Sequence, residues 1–209
     1  AWAQSPPNLA TRLPNPSQTL RETTERARPE PGALGPSADV QFTSQTPPAN
    51  AREIRFTLTG VTLAGATVYE EAQLAQAYQD LLGREIDLTE LFAIAGRIQA
   101  RYRDDGYLFT RVVVPAQRID GGRATLEVVE AGITRVEIEA PELPIGPVRA
   151  LAERFAAPLR GLRNPTLEEL ERVLLMLNDI PGVTRAAAVP KIGADERGAI
   201  ELYINMERE

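Results

Sequence analysis

The apolar residues of this chain fall into strand and helix spacings in the order strand, helix, helix, strand, strand, and then run through that order a second time. An order repeated after about 75 residues restricts the fold to two copies of one small unit, each near the lower size at which a domain keeps its own core.

The first copy begins at Glu53. Over Glu53–Thr59, Ile54, Phe56 and Leu58 alternate with Arg55, Thr57 and Thr59, the spacing of a half-buried strand. Tyr69–Leu82 carries Leu74, Tyr78, Leu81 and Leu82 at helical spacing and ends at Gly83. Asp87–Asp105 carries Leu88, Leu91, Phe92, Ala95, Ile98 and Tyr102 on one stripe. It opens on Asp87 with Glu90 three residues on, and Asp104-Asp105-Gly106 stops it. Leu108–Val114 and Arg123–Glu130 read as strands joined by a loop containing Gly121-Gly122. The second copy follows with a strand over Thr134–Glu139, helices over Pro147–Leu159 and Thr166–Asp179, and strands over Val183–Val189 and Ala199–Met206. The strongest local match is Thr110-Arg111-Val112-Val113-Val114-Pro115 against Thr184-Arg185-Ala186-Ala187-Ala188-Val189-Pro190. The expected fold is α+β: two tandem β-α-α-β-β modules over 53–131 and 132–208, each a three-stranded mixed sheet with two helices on one face.

Residues 1–52 have a different texture. They hold nine of the 17 prolines and too little apolar surface to offset the entropy of ordering. We read Ser17–Arg28, which has no proline, as a short helix, marginal by itself, and 29–52 as an extended linker. Ala1-Trp2-Ala3 has the small-x-small form left by signal-peptide cleavage.

Composition removes whole classes of chemistry. The chain has neither Cys nor His, so thiol nucleophiles, disulfides, imidazole bases and most zinc or copper sites are excluded. A net charge of -6 is the wrong sign for a nucleic-acid footprint. No apolar run reaches the roughly 18 residues of a membrane-spanning helix. The acidic pairs Glu70-Glu71 and Glu168-Glu169 fall at helix starts, where negative charge favours the helix dipole, and Asp104-Asp105 falls at a helix stop. Gly121-Gly122 and Gly193 lie between strands as hairpin turns. Neither a phosphate-binding loop nor a dinucleotide fingerprint occurs. The expectation is no enzyme, no cofactor, no metal, no nucleic acid and no small-molecule substrate.

Four stretches carry a resemblance. They are Arg97-Ile98-Gln99-Ala100-Arg101-Tyr102-Arg103-Asp104-Asp105-Gly106-Tyr107, Val113-Val114-Pro115-Ala116-Gln117, Leu126-Glu127-Val128-Val129-Glu130-Ala131-Gly132-Ile133, and Leu174-Leu175-Met176-Leu177-Asn178-Asp179-Ile180-Pro181-Gly182-Val183. Together they resemble the tandem POTRA (polypeptide-transport-associated) domains of two-partner secretion transporters of the haemolysin-activator type. The resemblance covers roughly 53–207, and the layout of a short helix and Pro-rich linker ahead of two modules is similar to that family's.

The resemblance implies the periplasmic face of the bacterial outer membrane. It implies as partner a secreted exoprotein, received unfolded through its N-terminal secretion domain. It also implies a membrane β-barrel, the pore, beyond the stretch that ends at Met206-Glu207-Arg208-Glu209, so the chain is expected to be a piece of a longer transporter. A POTRA scaffold of a barrel-assembly or cell-division protein is the alternative. In the family the last strand of each module is central and the second strand is an edge, where an extended client adds as a further strand. That places the candidate peptide-binding residues at Tyr107, Phe109, Thr110, Arg111, Val112, Val113 and Val114. Leu108, Thr110, Val112 and Val114 are expected to face the helices, and Phe109, Arg111 and Val113 to form an outward stripe.

Overall fold

The computed structural model describes residues 45–140, 146–193 and 197–208. The readings for Ser17–Arg28 and for most of 29–52 lie outside the described residues.

Each module has its own three-stranded sheet, and the two sheets are separate. In the first, β2 (Gly60–Ala64) runs parallel to β5 (Arg123–Val129), and β4 (Arg111–Val113) runs antiparallel to it, giving the order β2-β5-β4. In the second, β6 (Gly132–Glu139) is parallel and β7 (Val183–Ile192) antiparallel to a central β8 (Ala199–Arg208). The last strand is central in both sheets. Parallel pairing of the first and last strands needs a crossover, which the helices supply.

One strand assignment is corrected. The alternating stretch from Glu53 yields only β1 (Arg55–Thr57), and it pairs with β3 (Glu85–Asp87) in a small two-stranded sheet of its own. The sheet strand proper is the next segment, β2. Both segments are extended and alternating, and the choice rests on a partner about sixty residues away. Thr59 donates its N–H to Gly122 O at 2.9 Å and its hydroxyl to Gly121 O at 2.7 Å, which sets β2 beside β5. Gly122 has φ +77, and a Cβ there would lie 1.9 Å from Thr57 O, so only glycine fits.

The first helical segment is also less regular than expected. It begins as α1 (Glu71–Leu74) and continues as two 3-10 turns, Ala75–Ala77 and Gln79–Leu81. Leu74, Tyr78 and Leu81 are buried as their spacing requires, but Leu82 is exposed. The second helix, α2 (Leu88–Asp104), is continuous and opens on the Asp87 side chain, which accepts from Glu90 N at 3.0 Å. In the second module, α3 (Pro147–Ala156) starts on Pro147 as expected. There α4 (Leu167–Asn178) is closed at its start by a reciprocal capping box between Thr166 and Glu169.

Two cores result. Leu58, Val61, Leu74, Leu91, Ile94, Ile98, Tyr102, Val112, Leu126 and Val128 belong to the first. Ile133, Leu159, Leu170, Leu177, Ile200, Leu202 and Ile204 belong to the second. The second core also takes in Phe109, a first-module residue.

Candidate functional site

Among the described residues β4 is an edge: it pairs with β5 on one side only. It is shorter than the expected Leu108–Val114. Gly106, at φ +90, ends α2, and Leu108 N and Thr110 N donate to Gly106 O and Tyr107 O, so the chain turns before it extends. This turn corrects the expected outward stripe. Phe109 is 6% exposed and packs into the second core; it faces neither solvent nor a client. Thr110 is buried. Tyr107 is half-buried and sits edge-on to Tyr69 and Tyr102. From Arg111 the alternation holds: Val112 and Val114 are buried in the first core, while Arg111 and Val113 are half-buried on the opposite face.

The edge is also less bare than an unpaired strand. Arg111 and Val113 register with Val129 and Glu127 of β5. By alternation, the backbone groups of Val112 and Val114 point away from the sheet. Side-chain carboxamides meet both. Val112 N–H donates to Gln99 Oε1 at 3.1 Å, and Val114 N–H donates to Gln45 Oε1 at 2.8 Å. Beyond the strand, Pro115 has no N–H to offer. There Gln117 substitutes for a strand partner of Thr125, accepting its N–H and donating to its carbonyl, each at 2.7 Å.

The second module repeats the device at the matching position. In the aligned stretches Val112 corresponds to Ala186, and Ala186 N–H donates to Asn178 Oδ1 at 2.7 Å while its carbonyl accepts from Asn178 Nδ2 at 3.3 Å. Gln99 and Asn178 were not among the sequence candidates. The available signal was a carboxamide near the inner face of the helix that precedes each edge strand.

Beside Val114 lies a groove of about 460 Å³ lined by Ile54, Phe56, Leu88, Phe92 and Ile119, with Gln45 and Pro48 at its side. Ile54 is 41% exposed. Thus the edge ends next to an apolar depression, which suits a neighbour that brings both backbone and side chains.

A second constellation fixes the two modules to each other. The Glu130 carboxylate accepts from Thr67 N (2.7 Å), the Thr67 hydroxyl, Val68 N (3.0 Å) and Tyr102 OH (2.9 Å) in the first module, and from Asn164 Nδ2 (3.0 Å) in the second. Burial pushes this carboxyl's pKa up, but the hydrogen bonds from Thr67, Val68 and Tyr102 outweigh it, and the net shift is downward. Burial and the Glu130 contact push the Tyr102 phenol up. Around this carboxylate, Leu167 N–H, in the first turn of α4, donates to Gly106 O, and Asn164 N–H donates to Ala131 O. Gly198, at φ +80, lies so close to Glu130 O that a Cβ would sit 2.8 Å away. Among the described residues no group of three or more acidic side chains is arranged to hold a metal ion, and no helix is long and apolar enough to cross a membrane.

Residues 56–131 match the family model described as POTRA domain, ShlB-type. The heme/hemopexin transporter protein HuxB of Haemophilus influenzae strain 86-028NP is 26% identical over 200 residues, covering 88% of this chain and 34% of HuxB. A second Haemophilus influenzae HuxB is 25% identical over 183 residues, 83% of this chain and 30% of that protein. The chain therefore spans about a third of the length of these curated relatives (34% and 30%). Among solved structures, CdiB from Escherichia coli aligns over 92% of this chain and 32% of its own, with TM-score 0.65 and 18% identity. The N-terminal domain of Omp85 from Thermosynechococcus elongatus aligns over 73% of this chain and 66% of its own, with TM-score 0.59 and 21% identity. At these identities the structures speak to the fold.

Proposed function

We propose that this chain, whose residues 56–131 are a POTRA domain of the ShlB type, is the substrate-receiving part of an outer-membrane protein exporter of the two-partner secretion kind. On this reading it works on the periplasmic face and takes an unfolded exoprotein by its N-terminal secretion domain. A membrane β-barrel belonging to the same transporter then accepts the client. This family is a transport scaffold, and its work is binding.

The observation that carries the reading is the one-sided pairing of β4 next to an apolar groove. An extended client adds to such an edge through backbone hydrogen bonds, which are largely indifferent to sequence, and places alternate side chains in the depression. Arg111, Val112, Val113 and Val114 form the contact; Phe109 and Thr110, both buried, do not. Since each hydrogen bond nets about 1 kcal/mol, the grip is modest, as suits a client that must move on.

The test is amide hydrogen exchange on the 209-residue chain with and without the exoprotein's N-terminal secretion domain. Added protection centred on the Val114 amide is expected, because the Arg111 and Val113 amides already face β5 and Gln99 already holds that of Val112. Protection confined to β7 or to the outer faces of the helices would refute the β4 reading.

A further inference from the structure

The two carboxamides on the β4 edge differ in kind. Gln99 is 4% exposed on a continuous helix and is a fixed part of the module. Gln45 is exposed and lies on the segment leading into the module. That segment is tied down at Ala51, which is 2% exposed and whose carbonyl accepts from Leu88 N at 3.1 Å. A carboxamide oxygen is the same acceptor as a peptide carbonyl. Gln45 Oε1, 2.8 Å from Val114 N, therefore stands where the carbonyl of an added strand would stand. Gln45 and Pro48 also flank the groove where that strand's side chain would rest.

The other edge of this kind is less open to a client. On β7 both backbone groups of Ala186 are held by Asn178, and Pro190, two alternations on, has no N–H to donate. Helix side chains thus hold the N–H of Val112 and both backbone groups of Ala186, whereas a tether holds the N–H of Val114.

We propose that Gln45–Pro48 is a built-in competitor for the client: strand addition at β4 requires a client carbonyl to replace the Gln45 carboxamide on Val114 N–H. The inference rests on the reading of β4 as the client edge and adds its regulation. A tether this short holds its end near the site at an effective concentration on the order of millimolar. One hydrogen bond then sets a threshold that weak, non-pairing chains fail to cross, while a client that also fills the groove crosses it.

The test compares the 209-residue chain with its Gln45→Ala and Gln45→Glu variants. Residue-resolved amide exchange is read by NMR, and binding is read with a synthetic twelve-residue peptide of alternating Val and Thr. In Gln45→Ala the Val114 amide is expected to exchange about tenfold faster while the Val112 amide, held by Gln99, is unchanged. Gln45→Glu keeps an acceptor oxygen and should keep Val114 protected. The peptide should bind Gln45→Ala roughly fivefold tighter than the parent. Unchanged exchange at Val114 overturns the proposal, as does faster exchange with equal affinity for a peptide that shifts the β4 amides of both proteins; in that second case β4 remains the client edge. A peptide that shifts no β4 amide in either protein defeats the edge reading itself, and the competitor with it.

Discussion

Replacing Phe109 with Ala removes a first-module side chain from the second module's core. Phe109 is 6% exposed and belongs to the same core as Ala131, Ile133, Leu170 and Leu174. Transfer of the ring to water accounts for about 2–3 kcal/mol, and the cavity left behind raises a buried Phe→Ala change to about 3–5 kcal/mol. The ring keeps slight exposure, so the lower end applies. For a chain of this size each kcal/mol moves the melting temperature by about 2–4 °C, so a fall of about 6–12 °C is expected. Circular dichroism melts measure the fall, and hydrogen exchange locates it. Faster exchange should centre on α4 and β8, with α2 and β5 following only as far as the junction couples them. Phe109→Leu should recover most of the loss, since it refills the volume. A Phe109→Ala melt within about 2 °C of the parent would refute the packing argument. So would exchange gains confined to the first core, which would mean that the ring serves its own module.

Glu130→Gln should destabilise the pair of modules by about 1–2 kcal/mol at pH 7, because the amide turns a donor toward groups that already donate. The carboxyl's pKa is lower in the folded chain than in the unfolded one. Its contribution is therefore fully present above the unfolded value and is lost as pH falls through the folded value, so parent and variant melts should converge in acid. Val113→Pro should destabilise the edge by about 1–3 kcal/mol, since Val113 registers with Glu127 and, with the Val112 and Val114 N–H groups pointing outward, its own N–H faces β5; an unchanged denaturant midpoint would contradict that orientation. Gly122→Ala should cost more than about 2 kcal/mol, from left-handed backbone strain and the 1.9 Å approach to Thr57 O; parent-like urea unfolding would show that the turn relaxes. Thr166→Ala should cost about 1 kcal/mol through loss of the α4 capping box, seen as a shift in the same urea midpoint.

Local pattern determined most of the elements. The stripe of Leu91, Ala95, Ile98 and Tyr102 made α2, Thr166 and Glu169 opened α4, and Ile200, Leu202, Ile204 and Met206 made β8, because each depends only on side-chain period and on neighbours three or four residues away. The mixed three-stranded sheets followed from two helices between strands. What required the tertiary structure was every choice among equally extended segments and every contact across modules. Arg55–Thr57 and Gly60–Ala64 are both strands by pattern, and only the distant partner β5 selected the second for the sheet. Alternation assigned Phe109 to the outer face, but the turn after Gly106 took it out of the strand and the neighbouring module supplied its core. The edge at β4 was legible only through the resemblance to the family, whose second strand is an edge. Its occupation by Gln99 and Gln45 was not, because a carboxamide leaves no period in a sequence, and its partner is fixed only when helix, tether and strand are packed side by side.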